Sequence, residues 1–398
     1  MSTLALHGGT PVRQTLLPYA RQSVSDEDIT SVTEILRSDW LTTGPTVAAF
    51  ENAFATFTQS KEAIAVSSGT AALHTALYGI GIQPGDEVIV PPMTFAATAN
   101  AAAFMGATPV FADCEEDTLL IDSKKVEACI TKKTKAIIAV DYAGQPCDYE
   151  QLQSLADKHH IALVADACHA LGGSFHDRPV GSLADCSIFS FHPVKPITTG
   201  EGGMITTNRA DVAERMRRFR NHCIATDHRE RQEKNSWRYE VTDMGYNYRL
   251  TDIQCALGLS QMKKIHTWTT RRQELAKRYS CAFSTIKGFT PLTMRPHRVH
   301  AFHLYVVQLD LNHLSADRDE IYQALRAENI GVNVHYIPVH LHPFYQKRFG
   351  TKAGLCPVVE HAFERIISLP LFASMTDGDA EDVIAALEKT LSYYYTRP

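Results

Sequence analysis

No apolar run in this 398-residue sequence is long enough to cross a bilayer. The longest apolar-leaning stretch, Phe95 to Phe111, contains Asn100 and Pro109 and falls short of the ~20 residues that a membrane-spanning helix needs. Residues 1–13 resemble neither a signal peptide nor a transit peptide, because His7 and two glycines follow a very short apolar stretch. We therefore expect a soluble, cytoplasmic protein with no membrane partner.

A strong charge bias is also absent. The 39 Lys and Arg residues nearly balance 44 Asp and Glu residues, giving a formal net charge of -5. Such a balance leaves no broad cationic surface to hold a phosphate polymer. We therefore expect no nucleic-acid partner.

Cysteine pairs at metal-ligand spacing are lacking as well. The nine cysteines are dispersed, with no Cys-x-x-Cys pair, which is typical of reduced cytosolic thiols. His335, His340 and His342 are close in sequence, but no Asp, Glu or Cys nearby completes a metal-ligand set. We therefore predict no metal site.

The sequence does contain short Val- and Ile-rich runs that alternate with helix-length segments. The predicted strands are 63–66, 87–90, 109–112, 136–141, 161–166, 186–191 and 204–207, and the predicted helices between them are 70–79, 122–132, 149–159 and 210–221. This alternation predicts an α/β fold with a mostly parallel central sheet covered on both faces. Right-handed crossovers then bring the strand ends to one ligand-binding edge.

The pattern changes after residue 224. Residues 226–237 are charged and predict a loop, whereas Asp252 to Arg278 predicts one long amphipathic helix. The remaining predicted elements are a strand at 301–309, a helix at 318–329, a strand at 331–336 and a helix at 377–393. We expect a large domain over 1–250, with the N-terminal segment included, and a small C-terminal α+β domain over 251–398.

Two motifs at predicted strand ends carry polar groups. The strand ending at Val66 continues through Ser68, Gly69 and Thr70 directly into a helix, whose free amides and positive dipole end favour an anion. The alternative is an ordinary turn with Ser68 or Thr70 as the N-cap. Asp166 ends another buried strand and either holds a protonated heteroaromatic nitrogen or caps the next helix.

A third motif places Lys195 between Val194, Pro196 and Ile197. Desolvation by such neighbours lowers the pKa of an ammonium group and makes a nucleophilic amine accessible. The alternative is a lysine whose stem covers apolar surface. An anion-binding helix start, an acid after a strand and an apolar-flanked lysine together describe a pyridoxal phosphate (PLP) site.

These motifs resemble the DegT/DnrJ/EryC1/StrS family of sugar aminotransferases. The similarity extends in order from Asp39–Pro45 to Ser368–Leu371, which is nearly the whole chain. It implies a fold-type I PLP-dependent transferase that forms a homodimer with active sites at the subunit interface.

The resemblance also implies roles for individual residues. Lys195 would bind the cofactor covalently and Asp166 would meet its pyridine nitrogen, as the catalytic pair. The implied cofactor contacts are Gly69, Thr70, Phe95, Asp166, His169, Ser190, Lys195 and, from the partner subunit, Asn247. The implied substrate contacts are Tyr19, Trp40, Thr42, Asn247, Arg249, His335 and Tyr336.

Some of these residues could have a structural role instead of contacting the substrate. Tyr19 and Trp40 could equally be packing aromatics, because large aromatic side chains dominate both cores and interfaces. Arg249 either pairs with a substrate diphosphate or holds an interface carboxylate.

The residue at the position of Lys195 also distinguishes two reactions that members of the family catalyse. Dehydratase members carry a histidine at its position, so Lys195 favours transamination. Four strings, Leu41–Pro45, Asp141–Asp148, Phe191–Thr199 and Val334–Pro338, resemble members that act in pseudaminic acid biosynthesis, although Ser68 to Ala71 departs from their usual Ala-Thr-Ser. This implies a UDP-linked 4-keto-6-deoxy N-acetylhexosamine as acceptor and glutamate as donor. The alternatives are a dTDP- or GDP-linked keto sugar, or a non-catalytic PLP-fold binding protein.

Overall fold

The structure is a computed structural model that describes residues 3–226 and 235–396. Most of the predicted loop at 226–237 therefore lies outside the described residues. The strands are β1 Glu62–Val66, β2 Glu87–Val90, β3 Thr108–Phe111, β4 Thr134–Val140, β5 Ala162–Asp166, β6 Ser174–Phe175, β7 Arg178–Pro179, β8 Cys186–Ser190, β9 Gly203–Thr207, β10 Phe289–Pro291, β11 Arg298–Val299, β12 Tyr305–Leu309 and β13 Ile366–Leu369. The α-helices are α1 Asp26–Leu36, α2 Pro45–Thr58, α3 Gly69–Ile80, α4 Ala97–Phe104, α5 Ser123–Cys129, α6 Tyr149–His159, α7 Ala210–Phe219, α8 Asp252–Met262, α9 Ile265–Phe283, α10 Arg318–Ala327, α11 Pro343–Phe349, α12 Pro357–Phe363 and α13 Asp377–Tyr394.

The central sheet contains seven of the described strands, in the order β1-β9-β8-β5-β4-β2-β3. Strands β8, β5, β4, β2 and β3 pair in parallel, and β9 runs antiparallel to both β1 and β8. The predicted mostly parallel α/β sheet is confirmed.

Both faces of this sheet are buried. Side chains alternate between faces along a strand, so Ile137 and Ala139 belong to one apolar cluster while Ala136 and Ile138 belong to another. Burial on both faces explains why the strands read as continuous apolar runs rather than as alternating ones.

The C-terminal part of the chain has its own apolar cluster. The antiparallel sheet β10-β12-β13 packs there with α9, α10 and α13. Leu4 and Leu17, from the start of the chain, are buried in this same cluster. The domain boundary at residue 250 stays a prediction. Among the described residues, no helix is long and apolar enough to span a membrane.

The single helix predicted over 252–278 is wrong, because the chain breaks between α8 and α9. Asp28 of α1 is fully buried and accepts hydrogen bonds from Ser260 Oγ (2.6 Å), Gln261 Nε2 (3.0 Å) and Lys264 Nζ (2.9 Å). At the break, the N–H of Lys264 donates to the carbonyl of Gln261 three residues earlier, which tightens the turn. A carboxylate from a distant helix therefore fixes the break.

Two predicted strands are also corrected. The strand predicted at 301–309 begins only at Tyr305, because the N–H of Ala301 donates to the Gly144 carbonyl instead of a neighbouring strand. At 331–336 only Asn333 forms a bridge, with Ser368. There the Asn333 side chain accepts the N–H of Val334 at 2.8 Å, which removes a donor that a ladder would need.

Candidate active site

A cavity of about 450 Å³ lies at the edge where β1, β5 and β8 end. Ten of the predicted site residues line it: Tyr19, Gly69, Thr70, Phe95, Asp166, His169, Ser190, Lys195, His335 and Tyr336. The remaining four, Trp40, Thr42, Asn247 and Arg249, are not among its lining residues.

One wall of the cavity is the start of α3. Ser68 is the N-cap, and its Oγ accepts the N–H of Ala71 at 3.0 Å. The first N–H groups of a helix have no partner within the helix, so those of Gly69 and Thr70 are available to an anion. A Cβ at Gly69 would lie 2.9 Å from the Cβ of Ser190, which explains the glycine.

Asp166 is buried at the end of β5. Its Oδ2 accepts a hydrogen bond from Thr98 Oγ1 at 2.7 Å, and its Oδ1 accepts the N–H of Cys168 at 3.3 Å. A second carboxyl group, Asp141, lies at the end of the adjacent strand β4, and its N–H donates to the Asp166 carbonyl at 3.1 Å. Burial raises the pKa of Asp141 to about 7, and the charge of Asp166 adds to this shift.

Lys195 lies in the turn that follows β8. Its N–H donates to the carbonyl of His192 at 2.9 Å, and Thr198 Oγ1 donates to the Phe191 carbonyl at 2.9 Å, so the turn is internally fixed. Burial lowers the pKa of Lys195, while Cys168 and Asp166 act in the opposite direction. The neutral amine is therefore more accessible than in an exposed lysine.

His169 and two other histidines form a neutral polar wall. The ring of His303 lies 4.4 Å from that of His169, centroid to centroid, and Tyr336 Oη lies 3.1 Å from His169 Nε2. Burial lowers the pKa of His169 and of His303 well below the ordinary value, and it lowers that of His335 to about 4. These imidazoles add hydrogen-bonding groups without positive charge.

Tyr19, which also lines the cavity, packs against His335 of this wall, with ring centroids 5.3 Å apart. His335 Nδ1 lies 2.9 Å from Ser368 Oγ, which holds the imidazole in place. Phe95, another lining residue, is 62% exposed. Its side chain thus offers an aromatic group beside the polar groups of the cavity.

The four predicted residues outside the cavity lie on two exposed segments. Thr42 forms a bridge with Thr251 beside α8, and Trp40 is 40% exposed nearby. Asn247 forms a bridge with Asn221, whose Oδ1 accepts a hydrogen bond from Arg249 Nη1 at 2.7 Å. Within one chain, these residues do not join the cavity.

The cavity fits PLP. Its phosphate would lie at the start of α3 beside Ser190, and its pyridine nitrogen would meet Asp166. The donor set that lines the cavity suits this group, because it combines free helix N–H groups, a carboxylate and a buried lysine. No cluster of three or more metal-ligating side chains occurs among the residues described.

Sequence reasoning missed Thr98 and His303. Thr98 lies in the first turn of α4, and Thr94 lies four residues earlier in the bend that precedes this helix, where its Oγ1 is 2.7 Å from Thr98 Oγ1. The sequence signal for Thr98 was only its place just after Phe95, a predicted cofactor contact. His303 gave none, because it reaches the cavity only through the irregular backbone before β12.

Comparison with known proteins decides the family. The profile of the DegT/DnrJ/EryC1/StrS aminotransferase family matches residues 22–388. The chain belongs to this family. The spore coat polysaccharide biosynthesis protein SpsC of Bacillus subtilis is 44% identical over 377 residues, which cover 94% of this chain and 97% of that protein.

Solved structures of aminotransferases share the fold. PseC of Helicobacter pylori, involved in pseudaminic acid biosynthesis, has a TM-score of 0.89 and 34% identity, covering 96% of this chain and 100% of PseC. Spr1654 of Streptococcus pneumoniae, solved in its PLP form, has a TM-score of 0.89 and 32% identity over 96% of this chain and 100% of Spr1654. This chain is therefore a fold-type I, PLP-dependent aminotransferase.

Proposed function

We propose that this aminotransferase moves an amino group from glutamate to a nucleotide-linked 4-keto-6-deoxy sugar, with a UDP-linked N-acetylhexosamine as the acceptor. The main observation that supports transamination is that Lys195, whose pKa is lowered, lines the same cavity as Asp166 and the start of α3. The similarity to PseC and SpsC supports a sugar acceptor.

The cofactor would be held by the residues that surround the cavity. Gly69, Thr70 and Ser190 would bind its phosphate, while Phe95 and His169 would flank its ring. Asp166, as a carboxylate, would keep the pyridine nitrogen protonated. When bound, PLP supplies an electron sink for the electron pair of a breaking C–H bond.

Lys195 would act twice. Its neutral amine would hold the cofactor. When glutamate is bound in its place, the free Nζ would take a proton from the donor carbon, and in the second half of the reaction it would give a proton to the acceptor carbon, which is general base and general acid catalysis by one residue. The lowered pKa of Lys195 favours the base form that the first transfer needs.

The substrate contacts divide between two subunits. Tyr19, His335 and Tyr336 lie at the cavity of their own chain. Trp40, Thr42, Asn247 and Arg249 would serve the cavity of a second copy. Large apolar side chains near Asn247 in the sequence support such a homodimer, because Trp237, Val241 and Met244 are 82%, 62% and 75% exposed.

The test is an assay with 15N-labelled glutamate and a panel of acceptors. The panel contains a UDP-linked 4-keto-6-deoxy N-acetylhexosamine, a dTDP-linked 4-keto-6-deoxyhexose and a GDP-linked 4-keto-6-deoxyhexose, with Lys195→Ala protein as the blank. We expect 15N in the UDP-linked amino sugar. Labelling of only the dTDP- or GDP-linked sugar would replace the proposed acceptor, and labelling of none would refute a keto-sugar acceptor.

A further inference from the structure

Two threonines form a buried chain that ends on Asp166. Thr98 Oγ1 lies 2.7 Å from Asp166 Oδ2, and Thr94 Oγ1 lies 2.7 Å from Thr98 Oγ1. Thr98 is 0% exposed and Thr94 is 2% exposed, so water does not compete for these contacts. Both residues come from the segment that follows β2 and enters α4, which lies outside the three sequence motifs.

The direction of these hydrogen bonds follows from the carboxylate. An ionised carboxylate only accepts, so the hydroxyl of Thr98 must donate to Asp166. Thr98 has one hydroxyl proton, so its oxygen must accept the proton of Thr94. Thr94 therefore orients Thr98, and Thr98 makes the shorter of the two contacts with Asp166, the other being the 3.3 Å contact from the N–H of Cys168.

We propose that Thr98 is a positioning residue that holds the Asp166 carboxylate aimed into the cavity, with Thr94 holding the Thr98 hydroxyl in its donating orientation. The inference rests on the proposed role of Asp166 at the pyridine nitrogen. A hydrogen bond from a buried hydroxyl fixes the orientation of a carboxylate. A carboxylate held in this position would face the pyridine nitrogen and accept its N–H.

The experiment compares Thr98→Val, Thr98→Ser and Thr94→Val holoenzymes that are loaded with 15N-labelled PLP. Valine keeps the shape of threonine and removes the hydroxyl, whereas serine keeps the hydroxyl. The 15N chemical shift of the pyridine nitrogen reports its protonation directly, which a loss of packing alone would not change. Thr390→Val is the matched control, because Thr390 is also fully buried in a helix and its Oγ1 has no partner among the described residues.

We expect Thr98→Val to move the 15N signal toward that of a neutral pyridine and to lower kcat about 10-fold, as for the loss of a hydrogen bond to a charged group. KM for glutamate should change much less than kcat. Thr98→Ser should restore both readouts, Thr94→Val should give a smaller change in the same direction, and Thr390→Val should give none.

The Asp166→Asn variant distinguishes a failure of the role proposed for Thr98 from a failure of the role proposed for Asp166. If Asp166→Asn moves the 15N signal and Thr98→Val does not, the role of Thr98 is refuted while that of Asp166 stands. If neither variant moves the signal, Asp166 is not the partner of the pyridine nitrogen, and both assignments fail. Equal losses of activity in Thr98→Val and Thr98→Ser, with unchanged 15N signals, would show that Thr98 serves packing only.

Discussion

Tyr336 Oη lies 3.1 Å from Nε2 of His169, a residue 167 positions earlier in the chain. His169 follows the buried strand β5, whereas Tyr336 belongs to the segment beside β13. The same segment is attached to the central sheet by Tyr142, whose hydroxyl donates to the carbonyl of His335. The C-terminal half of the chain therefore completes the cavity that the central sheet begins.

Tyr336→Phe tests this contact. Because His169 is buried, loss of the tyrosine hydroxyl leaves its Nε2 without that partner, and we expect kcat/KM to fall about fivefold for a hydrogen bond of about 1 kcal/mol. Tyr322→Phe, in the C-terminal apolar cluster, is the control and should stay within twofold by the same scale. A Tyr336→Phe enzyme as active as the control would show that the contact does not order His169 for catalysis.

Gly203→Ala should weaken PLP binding. A Cβ at residue 203 would lie 2.4 Å from the carbonyl oxygen of Ser68, so the backbone at the start of α3 must shift. Such overpacking costs about 1–3 kcal/mol. We expect a lower thermal unfolding midpoint and a higher Kd for PLP.

The matched substitution is Gly378→Ala in α13, where the nearest atom to an added Cβ is Thr376 Oγ1 at 3.8 Å. It should leave the Kd for PLP unchanged and alter stability by less than about 1 kcal/mol. Equal Kd values for PLP in both variants would mean that the start of α3 does not hold the phosphate.

The lowered pKa of Lys195 predicts how the protein free of cofactor captures PLP. Only the neutral amine attacks, and burial lowers the pKa of Lys195, so the neutral form appears at lower pH than in an exposed lysine. The capture rate should rise with pH and level off with a midpoint below about 10.4, the ordinary lysine value. Stopped-flow absorbance measures the capture rate at each pH, with N-acetyl-lysine amide as the reference for an exposed lysine amine. A midpoint equal to that of the free amine would contradict the desolvated site.

The sequence was sufficient to predict the parts of the site that lie next to each other in the chain. Gly69 and Asp166 each come directly after an apolar strand, and the parallel sheet then brings both to one edge. Lys195 was apparent from its apolar neighbours. These inferences needed only local patterns and a rule of topology.

Contacts between distant residues could not be predicted in this way. The end of α8 depends on Asp28 of α1, more than 230 positions earlier. Tyr336 was expected in a strand, but side chains bind the backbone of its segment and place it against His169. No periodicity in the sequence records such pairings, because they depend on tertiary packing.

Mixed dimers test whether two chains build each site. A Lys195→Ala subunit and an Asn247→Ala subunit should each be poorly active as homodimers. In the heterodimer one site would combine the intact Lys195 with the intact Asn247, while the other carries both defects. Two-fold symmetry makes the sites equivalent in the parent, so activity should return to about one site per heterodimer. Purified mixed dimers without recovery would place Asn247 at the site of its own chain.

Borohydride reduction followed by peptide mapping tests the central claim most directly. Reduction fixes PLP to the lysine that binds it, and mass spectrometry then locates the pyridoxyl group. We expect the label on Lys195, in the peptide that also contains His192, and no label in the Lys195→Ala protein. A stoichiometric pyridoxyl group on any other lysine would contradict the assignment of this cavity as the active site.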